Sequence, residues 1–130
     1  MGKKALLIVD HGSKRTEAND MLHDVATMLR EKSGLEIVYF AHMELVEPSI
    51  QQGFDDCVSA GAKEVIVHPY FLSPGKHSKV DIPRMVAEAA KRHPGVSFRV
   101  TEPLGLHPKI GDVIMDRVAD SLDSRKKVQE

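Results

Sequence analysis

The stretch ALLIVDHGS, residues Ala5 to Ser13, joins an apolar run directly to an aspartate, a histidine and a glycine. An apolar run of this length, ending in β-branched residues, is typical of a buried strand. The polar residues that follow then lie where the strand ends. Glycine allows the backbone to turn sharply and to approach a ligand closely. The first predicted strand therefore presents His11 at a tight turn, as a candidate functional residue.

Three more apolar runs follow, EIVYFAHM at 36–43, EVIVHPYFL at 64–72 and VSFRVT at 96–101. Amphipathic helical patterns alternate with them, over residues 16–34, 48–61, 81–93 and 107–122. The first helical pattern places one apolar face at Met21, Leu22, Val25, Met28 and Leu29. This alternation predicts an α/β fold, with a four-stranded parallel sheet and helices on both faces.

The composition limits the classes of function. The 130 residues are 42% hydrophobic and 28% charged, with a net charge of −1 and no tryptophan, so we expect neither a nucleic-acid partner nor a membrane partner. We expect one domain over residues 1–130, with a frayed end at 119–130. The single cysteine, Cys57, cannot form an internal disulfide and is expected to be a packed thiol, which favours a cytoplasmic location.

Chemically versatile residues follow several of the predicted strands. His11 follows the first strand, Glu44 and Glu47 follow the second, and His77 follows the third. Ligands of parallel α/β sheets bind beyond the carboxyl ends of the strands. The sequence therefore predicts that these side chains gather at one edge of the sheet, where the functional site lies.

The two histidines suggest metal or proton chemistry. Imidazole titrates near neutral pH and is a common metal ligand, and two imidazoles can hold one metal ion with positions left open for a substrate. Glu44 and Glu47 could attract a cation or accept a proton, although Glu47 could instead act on the dipole of the next helix. Asp10 could orient His11 or be a solvent-facing strand end, and His11 alone could be a packed or capping histidine.

Basic and hydroxyl side chains flank both histidines: Ser13, Lys14, Arg15, Lys76, Ser78 and Lys79. Any one of them could be an ordinary surface residue, but as a set they favour an acidic substrate. The other histidines are weaker candidates. His23 is expected to be exposed, His42 and His68 to be packed, His93 to end a helix, and His107 to begin the last helix.

Four segments together resemble the class II tetrapyrrole chelatases of the CbiX/SirB type. They are IVDHGSKRTEAND (8–20), AHMELVEPSI (41–50), HPYFLSPGKHSKVDIP (68–83) and VTEPLGLHP (100–108). The resemblance covers about residues 5–122, in the same order. The sequence around Asp10 and Glu44 is similar to that of sirohydrochlorin ferrochelatases of plants and cyanobacteria. Short archaeal relatives, in contrast, usually have glycine in place of Asp10.

The resemblance implies a chelatase-like, flavodoxin-like half-unit that inserts a divalent metal into sirohydrochlorin. Iron would give siroheme, cobalt would give a cobalamin precursor, and nickel is a third possibility. His11 and His77 would be the metal ligands, and His11 would also accept the protons of the ring. Independently of the resemblance, the position of Glu44 after the second strand makes it a catalytic candidate. The substrate contacts carried over are Glu47, Leu72, Ser73, Pro74, Gly75, Lys76 and His77.

The resemblance also bears on assembly and cofactors. Long members have two such units in one chain, so a single unit implies a homodimer. Plant members end in a cysteine-bearing extension for an iron–sulfur cluster; this chain ends in SRKKVQE, so no cluster and no tightly bound cofactor are expected. Two other functions remain open, a metal carrier without turnover and a metal- or histidine-dependent phosphatase, and the phosphatase would have no need for His77.

Overall fold

The computed structural model describes residues 3–123. Four strands alternate with helices along the chain. The strands are β1 (Lys3–Asp10), β2 (Ile37–His42), β3 (Ala62–Pro69) and β4 (Ser97–Val100). The helices are α1 (Thr16–Ser33), α2 (Ile50–Ser59), α3 (Ile82–Ala90) and α4 (Pro108–Leu122), and a π-helical turn, His77–Asp81, leads directly into α3. The predicted alternation and fold class are confirmed.

The strands form one parallel sheet in the order β2-β1-β3-β4. This is the order of the flavodoxin-like doubly wound folds, without their fifth strand. The chain leaves β1 toward β2 on one side and later returns to β3 on the other. Ligands of such folds bind at this reversal, beyond the carboxyl ends of β1 and β3. The topology therefore places the candidate site between the segments that follow these two strands.

The larger core lies on the face of the sheet covered by α2 and α3. Side chains from alternate positions of β1 and β3, such as Leu7 and Val67, pack there against Phe54, Ile82 and Val86. Helix α2 approaches the sheet closely at Gly53, where a Cβ atom would lie 2.9 Å from Leu7 and 3.0 Å from Ala41. The buried Cys57 belongs to this core, as expected, and burial is the main cause that raises the pKa of its thiol to about 12.

The opposite face is covered by α1, over β1 and β2. Leu22 and Ala26 of α1 pack on Ile8 and Val38, with Val25 and Leu29 at the margin of this smaller cluster. The predicted apolar face of α1 is therefore confirmed for Leu22, Val25 and Leu29. The prediction was too wide, because Met21 and Met28 are about half exposed.

Helix α4 packs differently from the others, since it has no buried residue. Its apolar side chains at four-residue intervals, Ile110, Ile114, Val118 and Leu122, form what we call the α4 apolar face. Ile114 is 57% exposed and Leu122 79% exposed. The C-terminal segment 119–130 was expected to be frayed. Residues 119–122 of it are helical, and residues 124–130 lie outside the described residues. Among residues 3–123, no helix is long and apolar enough to cross a membrane.

Candidate active site

The rings of His11 and His77 face each other at the carboxyl edge of the sheet. Their centroids are 5.1 Å apart and their planes are inclined by 58°. His11 directly follows β1, and His77 begins the π-helical turn that follows β3 and its loop. The two histidines predicted from the sequence are therefore brought together, across the point where the strand order reverses.

The turn that carries His11 is fixed by Asp10 and His42. Oδ1 of Asp10 accepts a hydrogen bond from the backbone N–H of Gly12 (3.0 Å) and lies 2.5 Å from Nδ1 of His42, which is 1% exposed. His42 is opposite Asp10 in the β1–β2 register. Asp10 thus holds the backbone of the turn, and the structure gives it no hydrogen bond to the ring of His11 among residues 3–123.

Gly12 is required at this turn for two reasons. Its φ is +95°, in the region that favours glycine, and a Cβ atom would lie 2.0 Å from the carbonyl oxygen of Glu44. The close approach arises because the segments after β1 and β2 remain hydrogen-bonded beyond the strands. The N–H of Met43 donates to the oxygen of Asp10 (2.9 Å), and that of Glu44 donates to the oxygen of His11 (3.1 Å).

Glu44 extends toward His11 from this second segment. Its Oε2 lies 3.3 Å from Nε2 of His11, while Nδ1 of His11 lies 3.3 Å from the oxygen of Gly12. The backbone beside Glu44 is strained, since Leu45 has a φ of +76° without being glycine. Such strain typically costs about 1–3 kcal/mol and persists where the surrounding structure imposes it. Glu44 is therefore the carboxylate that the structure brings to His11.

Glu47 has a different environment. It is exposed, precedes a cis peptide bond to Pro48, and its carboxylate has no hydrogen-bond or ion-pair partner among residues 3–123. Helix α2 begins with a capping box instead, in which Ser49 and Gln52 satisfy each other's backbone N–H groups. The N-terminus of α2 is therefore capped without Glu47, which leaves this carboxylate available to a ligand.

The loop between β3 and the π-helical turn contains the other predicted substrate contacts. Residues 72–76 are all exposed, with Leu72 at 72%. The loop is supported at both ends, because the N–H of Gly105 donates to the oxygen of Leu72 (2.8 Å) and that of Gly75 donates to Oγ of Ser78 (3.1 Å). The loop is therefore anchored by its backbone while its side chains remain accessible.

His77 has a partner that the sequence did not single out. Its Nδ1 lies 2.9 Å from Oδ2 of Asp81, one π-helical turn further along the chain. The carboxylate of Asp81 is 15% exposed and also lies 3.6 Å from Arg84. The hydrogen bond from His77, more than any other cause, holds the pKa of Asp81 below its ordinary value. Asp81 is therefore ionised beside His77 at neutral pH.

The remaining histidines lie outside this pair. His23 is exposed on α1 and stacks on Phe40, and His107 caps α4 by accepting from the N–H of Lys109. His68 is half-buried against Thr101 (2.8 Å), and burial lowers the pKa of its imidazole. His93 binds Asp55, as described below. The expected exposure of His23, packing of His68 and helix-start position of His107 are confirmed, whereas His93 lies three residues beyond the end of α3 and not at its last turn.

Exposed basic residues lie close to both histidines in the sequence. Lys14 and Arg15 follow the His11 turn, and Lys76 and Lys79 flank His77; all four are exposed. A polar hollow of about 290 Å³ lies beside the π-helical turn, lined by Ser78, Lys79, Pro83, Val100, Thr101, Glu102 and Pro103. The edge of the sheet thus combines positive charge with room for an anionic group.

The donor set at this edge is open. Within residues 3–123, no group of three or more histidine, cysteine, aspartate or glutamate side chains is placed so that it could hold a metal ion. The site instead offers two facing imidazoles, with the carboxylate of Glu44 3.3 Å from one of them. This arrangement suits short-lived ligation of a metal ion with few protein ligands, and the same imidazoles can accept protons.

A family model named CbiX matches residues 5–121, which is nearly the whole described chain. The match includes both histidines, Glu44 and the loop between them. The chain belongs to the CbiX family. The resemblance noted from four sequence segments is thereby confirmed.

Individual relatives of this CbiX-family chain have chelatase names. The chloroplastic sirohydrochlorin ferrochelatase of Arabidopsis thaliana is 50% identical over 117 residues, which cover 90% of this chain and 52% of that protein. The sirohydrochlorin cobaltochelatase of Methanococcus maripaludis is 30% identical, with 88% of this chain and 96% of that protein covered. The chain thus matches a short relative almost end to end and spans about half of the longer one.

A solved chelatase structure has a fold similar to that of this chain. The sirohydrochlorin chelatase SirB of Bacillus subtilis subspecies spizizenii, in complex with cobalt, superposes with a TM-score of 0.84 at 30% identity. The alignment covers 91% of this chain and 50% of that one. The CbiX-family chain therefore has the fold of one half of a longer chelatase chain.

Sequence reasoning missed three residues that shape the site of this CbiX-family chain: Asp81, His42 and Asn19. Asn19 accepts from the N–H of Ser13 (3.1 Å) and donates to its oxygen (2.8 Å), which closes the start of α1 onto the His11 turn. Asp81 could have been found from its four-residue spacing to His77. His42 and Asn19 have no such signal, because their partners are defined by strand register and by loop shape.

Proposed function

We propose that the chain is a chelatase that inserts a divalent metal ion into sirohydrochlorin, with iron as the first choice and cobalt next. The observation that carries this proposal is the facing pair of His11 and His77, 5.1 Å apart, with Glu44 at 3.3 Å from His11. The relatives named above as ferrochelatase and cobaltochelatase support it. The metal ion is a substrate in this reaction.

The residues would divide the chemistry as follows. Insertion requires that the metal ion loses water and that two ring N–H groups lose their protons. His11 and His77 ligate the incoming ion. As the ion passes to the ring nitrogens and leaves His11, His11 accepts the two ring protons one after the other, and Glu44 relays each to solvent through its 56%-exposed side chain. Because the described donor set is open, the ion can leave its ligands for the four nitrogens of the macrocycle.

The surroundings of the pair fit an acidic, flat substrate. Sirohydrochlorin carries many carboxylates, and the exposed cations Lys14, Arg15, Lys76 and Lys79 would bind them. Exposed Leu72, together with Ser73, Pro74 and Gly75, would contact the macrocycle from the anchored loop, and Glu47 would contact it from the segment before α2. This arrangement favours a chelatase over the phosphatase alternative, which gives His77 no role.

We further propose that two copies of the chain pair. The α4 apolar face is exposed to an extent that a stable single copy rarely shows. The chain also covers half of the SirB chain, which is therefore long enough for a second such unit. In a pair, the second copy would cover α4 and complete the groove for the macrocycle.

A reducing, cytoplasmic compartment fits the single buried thiol, Cys57, whereas the Arabidopsis relative is chloroplastic.

The test is anaerobic turnover of sirohydrochlorin, followed by the change of its visible spectrum, with Fe²⁺, Co²⁺ and Ni²⁺ compared. We expect metal-dependent turnover above the spontaneous rate for the wild type. His11→Ala should lose about 100-fold or more of that rate, since it loses both a ligand and a proton acceptor. His23→Ala, a histidine outside the site, serves as the matched control and should retain the wild-type rate.

Absence of acceleration with every metal would refute the chelatase, provided that the protein is folded. If metal binding persisted in that case, the carrier function would replace it. Equal rates for His11→Ala and His23→Ala would show that the histidine pair is not where the reaction occurs.

A further inference from the structure

The hydrogen bond between His77 and Asp81 distinguishes the two nitrogens of the His77 ring. Nδ1 lies 2.9 Å from Oδ2 of Asp81, whereas Nε2 has no hydrogen-bond partner among residues 3–123. A carboxylate can only accept from this ring, so Nδ1 carries the proton. In the neutral ring, Nε2 is then the nitrogen with a free lone pair.

The position of Asp81 does not have a simpler structural explanation. It immediately precedes α3, where aspartate often caps a helix, but its side chain makes no capping hydrogen bond to the backbone of α3 within the described chain. Its carboxylate is directed to His77 and, at 3.6 Å, to Arg84. Arg84 is 66% exposed, so this ion pair contributes little, and the bond to the histidine is the specific contact.

A π-helical turn carries both partners of this contact. The N–H of Ile82 donates to the oxygen of His77, which closes the wider turn over His77–Asp81. Single π turns inside helices are rare and often occur at functional sites. Here the turn places the carboxylate beside the ring on the rim of the site, while 53% of the His77 side chain remains accessible.

We propose that Asp81 is a positioning residue for metal insertion, which fixes His77 in the tautomer that presents Nε2 to the metal ion. Carboxylates behind metal-binding histidines commonly have this function, and their loss typically lowers metal affinity by about 10–100-fold. The inference rests on the proposed chelatase function for its role in catalysis. The tautomer and the metal affinity can nevertheless be measured without turnover.

The first measurement is long-range ¹H–¹⁵N NMR of the histidine rings at about pH 8, where unperturbed imidazoles are neutral. We expect His77 to carry its proton on Nδ1 in the wild type and to lose that preference in Asp81→Ala. The matched control is Asp24→Ala, since Asp24 is an exposed aspartate of α1 without a hydrogen bond or ion pair in the described chain. The control should keep the wild-type tautomer.

The second measurement is Co²⁺ affinity by titration, followed by initial rates of chelation. Asp81→Ala should bind Co²⁺ about 10–100-fold more weakly than Asp24→Ala and show a raised KM for the metal, with an unchanged KM for sirohydrochlorin. Asp81→Asn should lie between them, because its amide oxygen can still accept from Nδ1 without the charge. If Asp81→Ala does not fold, the Co²⁺ affinity of Asp81→Asn and the tautomer of the wild type decide whether Asp81 positions His77.

An Nε2-protonated His77 in the wild type would overturn the proposal. A Co²⁺ affinity of Asp81→Ala within twofold of Asp24→Ala would overturn it equally. If the wild type fails to turn over sirohydrochlorin with any metal, the proposed function is refuted, while the tautomer and the Co²⁺ affinity still decide the role of Asp81.

Discussion

At the scale of single residues, the site depends on Gly12 as much as on the two histidines proposed to react. Gly12 has a positive φ, and its missing side chain leaves room for the carbonyl oxygen of Glu44, 2.0 Å from where a Cβ atom would lie. Backbone atoms cannot rotate away as a flexible side chain can. Any larger residue must therefore separate the segments that carry His11 and Glu44.

Gly12→Ala should lower the free energy of unfolding by about 2 kcal/mol or more, because it adds a backbone clash to an unfavourable φ. Chelation should fall at least as severely as in a variant without Glu44. Thermal or urea unfolding and the chelatase assay measure the two effects. Gly95→Ala is the control, since nothing lies within 4 Å of its Cβ position, and it should change stability by less than about 0.5 kcal/mol. Equal stability of the two variants would contradict this account.

The residues proposed to react could be predicted from the sequence, whereas most of those that hold them in place could not. His11, Glu44 and His77 follow apolar runs, and the rule that parallel strands end at one edge was sufficient to group them. Asp10 bonds to the N–H of Gly12 and to His42, a choice the sequence left open. That choice depends on strand register, which residue patterns alone do not fix.

At the scale of elements, α2 and α3 are joined by a polar cluster around Asp55. Nε2 of His93 donates to Oδ1 of Asp55 (2.6 Å), and Gln51 donates to the same oxygen (2.9 Å). Partial burial by itself raises the pKa of Asp55, but these hydrogen bonds, with the charges of His93 and Arg92, outweigh it and leave the pKa below 3.8. Asp55 thus connects the C-terminal end of α3 to α2.

This lowered pKa predicts how stability depends on acid. The contribution of Asp55 is complete above its ordinary pKa of 3.8 and is lost as the pH falls through the lower pKa of the folded chain. Urea unfolding should therefore show a steeper loss of stability below about pH 4 in the wild type than in Asp55→Asn. At neutral pH, Asp55→Asn should cost about 1 kcal/mol, since the carboxylate is 35% exposed.

Asp24→Asn, on the exposed side of α1, provides the comparison and should follow the wild-type pH profile. Parallel profiles for wild type and Asp55→Asn would show that the cluster has no net effect on folding.

The elements themselves were predicted to within a few residues, because their apolar periods are strong. The π-helical turn was not predicted, because its sequence reads as the first turn of α3.

At the scale of the whole molecule, the sheet and three of its helices form a complete core, and α4 lies outside it. The alternating pattern predicted helices on both faces, which is confirmed by α1 on one face and by α2 and α3 on the other. The pattern also predicted an amphipathic helix at the position of α4. It could not predict that the apolar residues of this helix remain exposed, because an amphipathic period gives the face of a helix and not its partner.

Ile114→Glu should dissociate the proposed pair, because it places a charge at the centre of the α4 apolar face. We expect the mass measured by light scattering to fall from two chains to one, and chelation to fall with it. Lys109→Glu introduces the same side chain in the first turn of α4, away from that face, and should leave the mass unchanged. A wild type that is already a single chain at micromolar concentration would refute the pairing.

The length of the π-helical turn has a consequence for how related sequences should be read. His77 and the carboxylate beside it are joined by a five-residue turn that a regular helix would form with fewer residues. A descendant that lost one residue within 78–80 would keep both histidines and much of its similarity, yet the turn would shorten and the carboxylate would meet His77 in a different geometry. In alignments of such chains, a gap at this point indicates that the contact between this histidine and its carboxylate has changed.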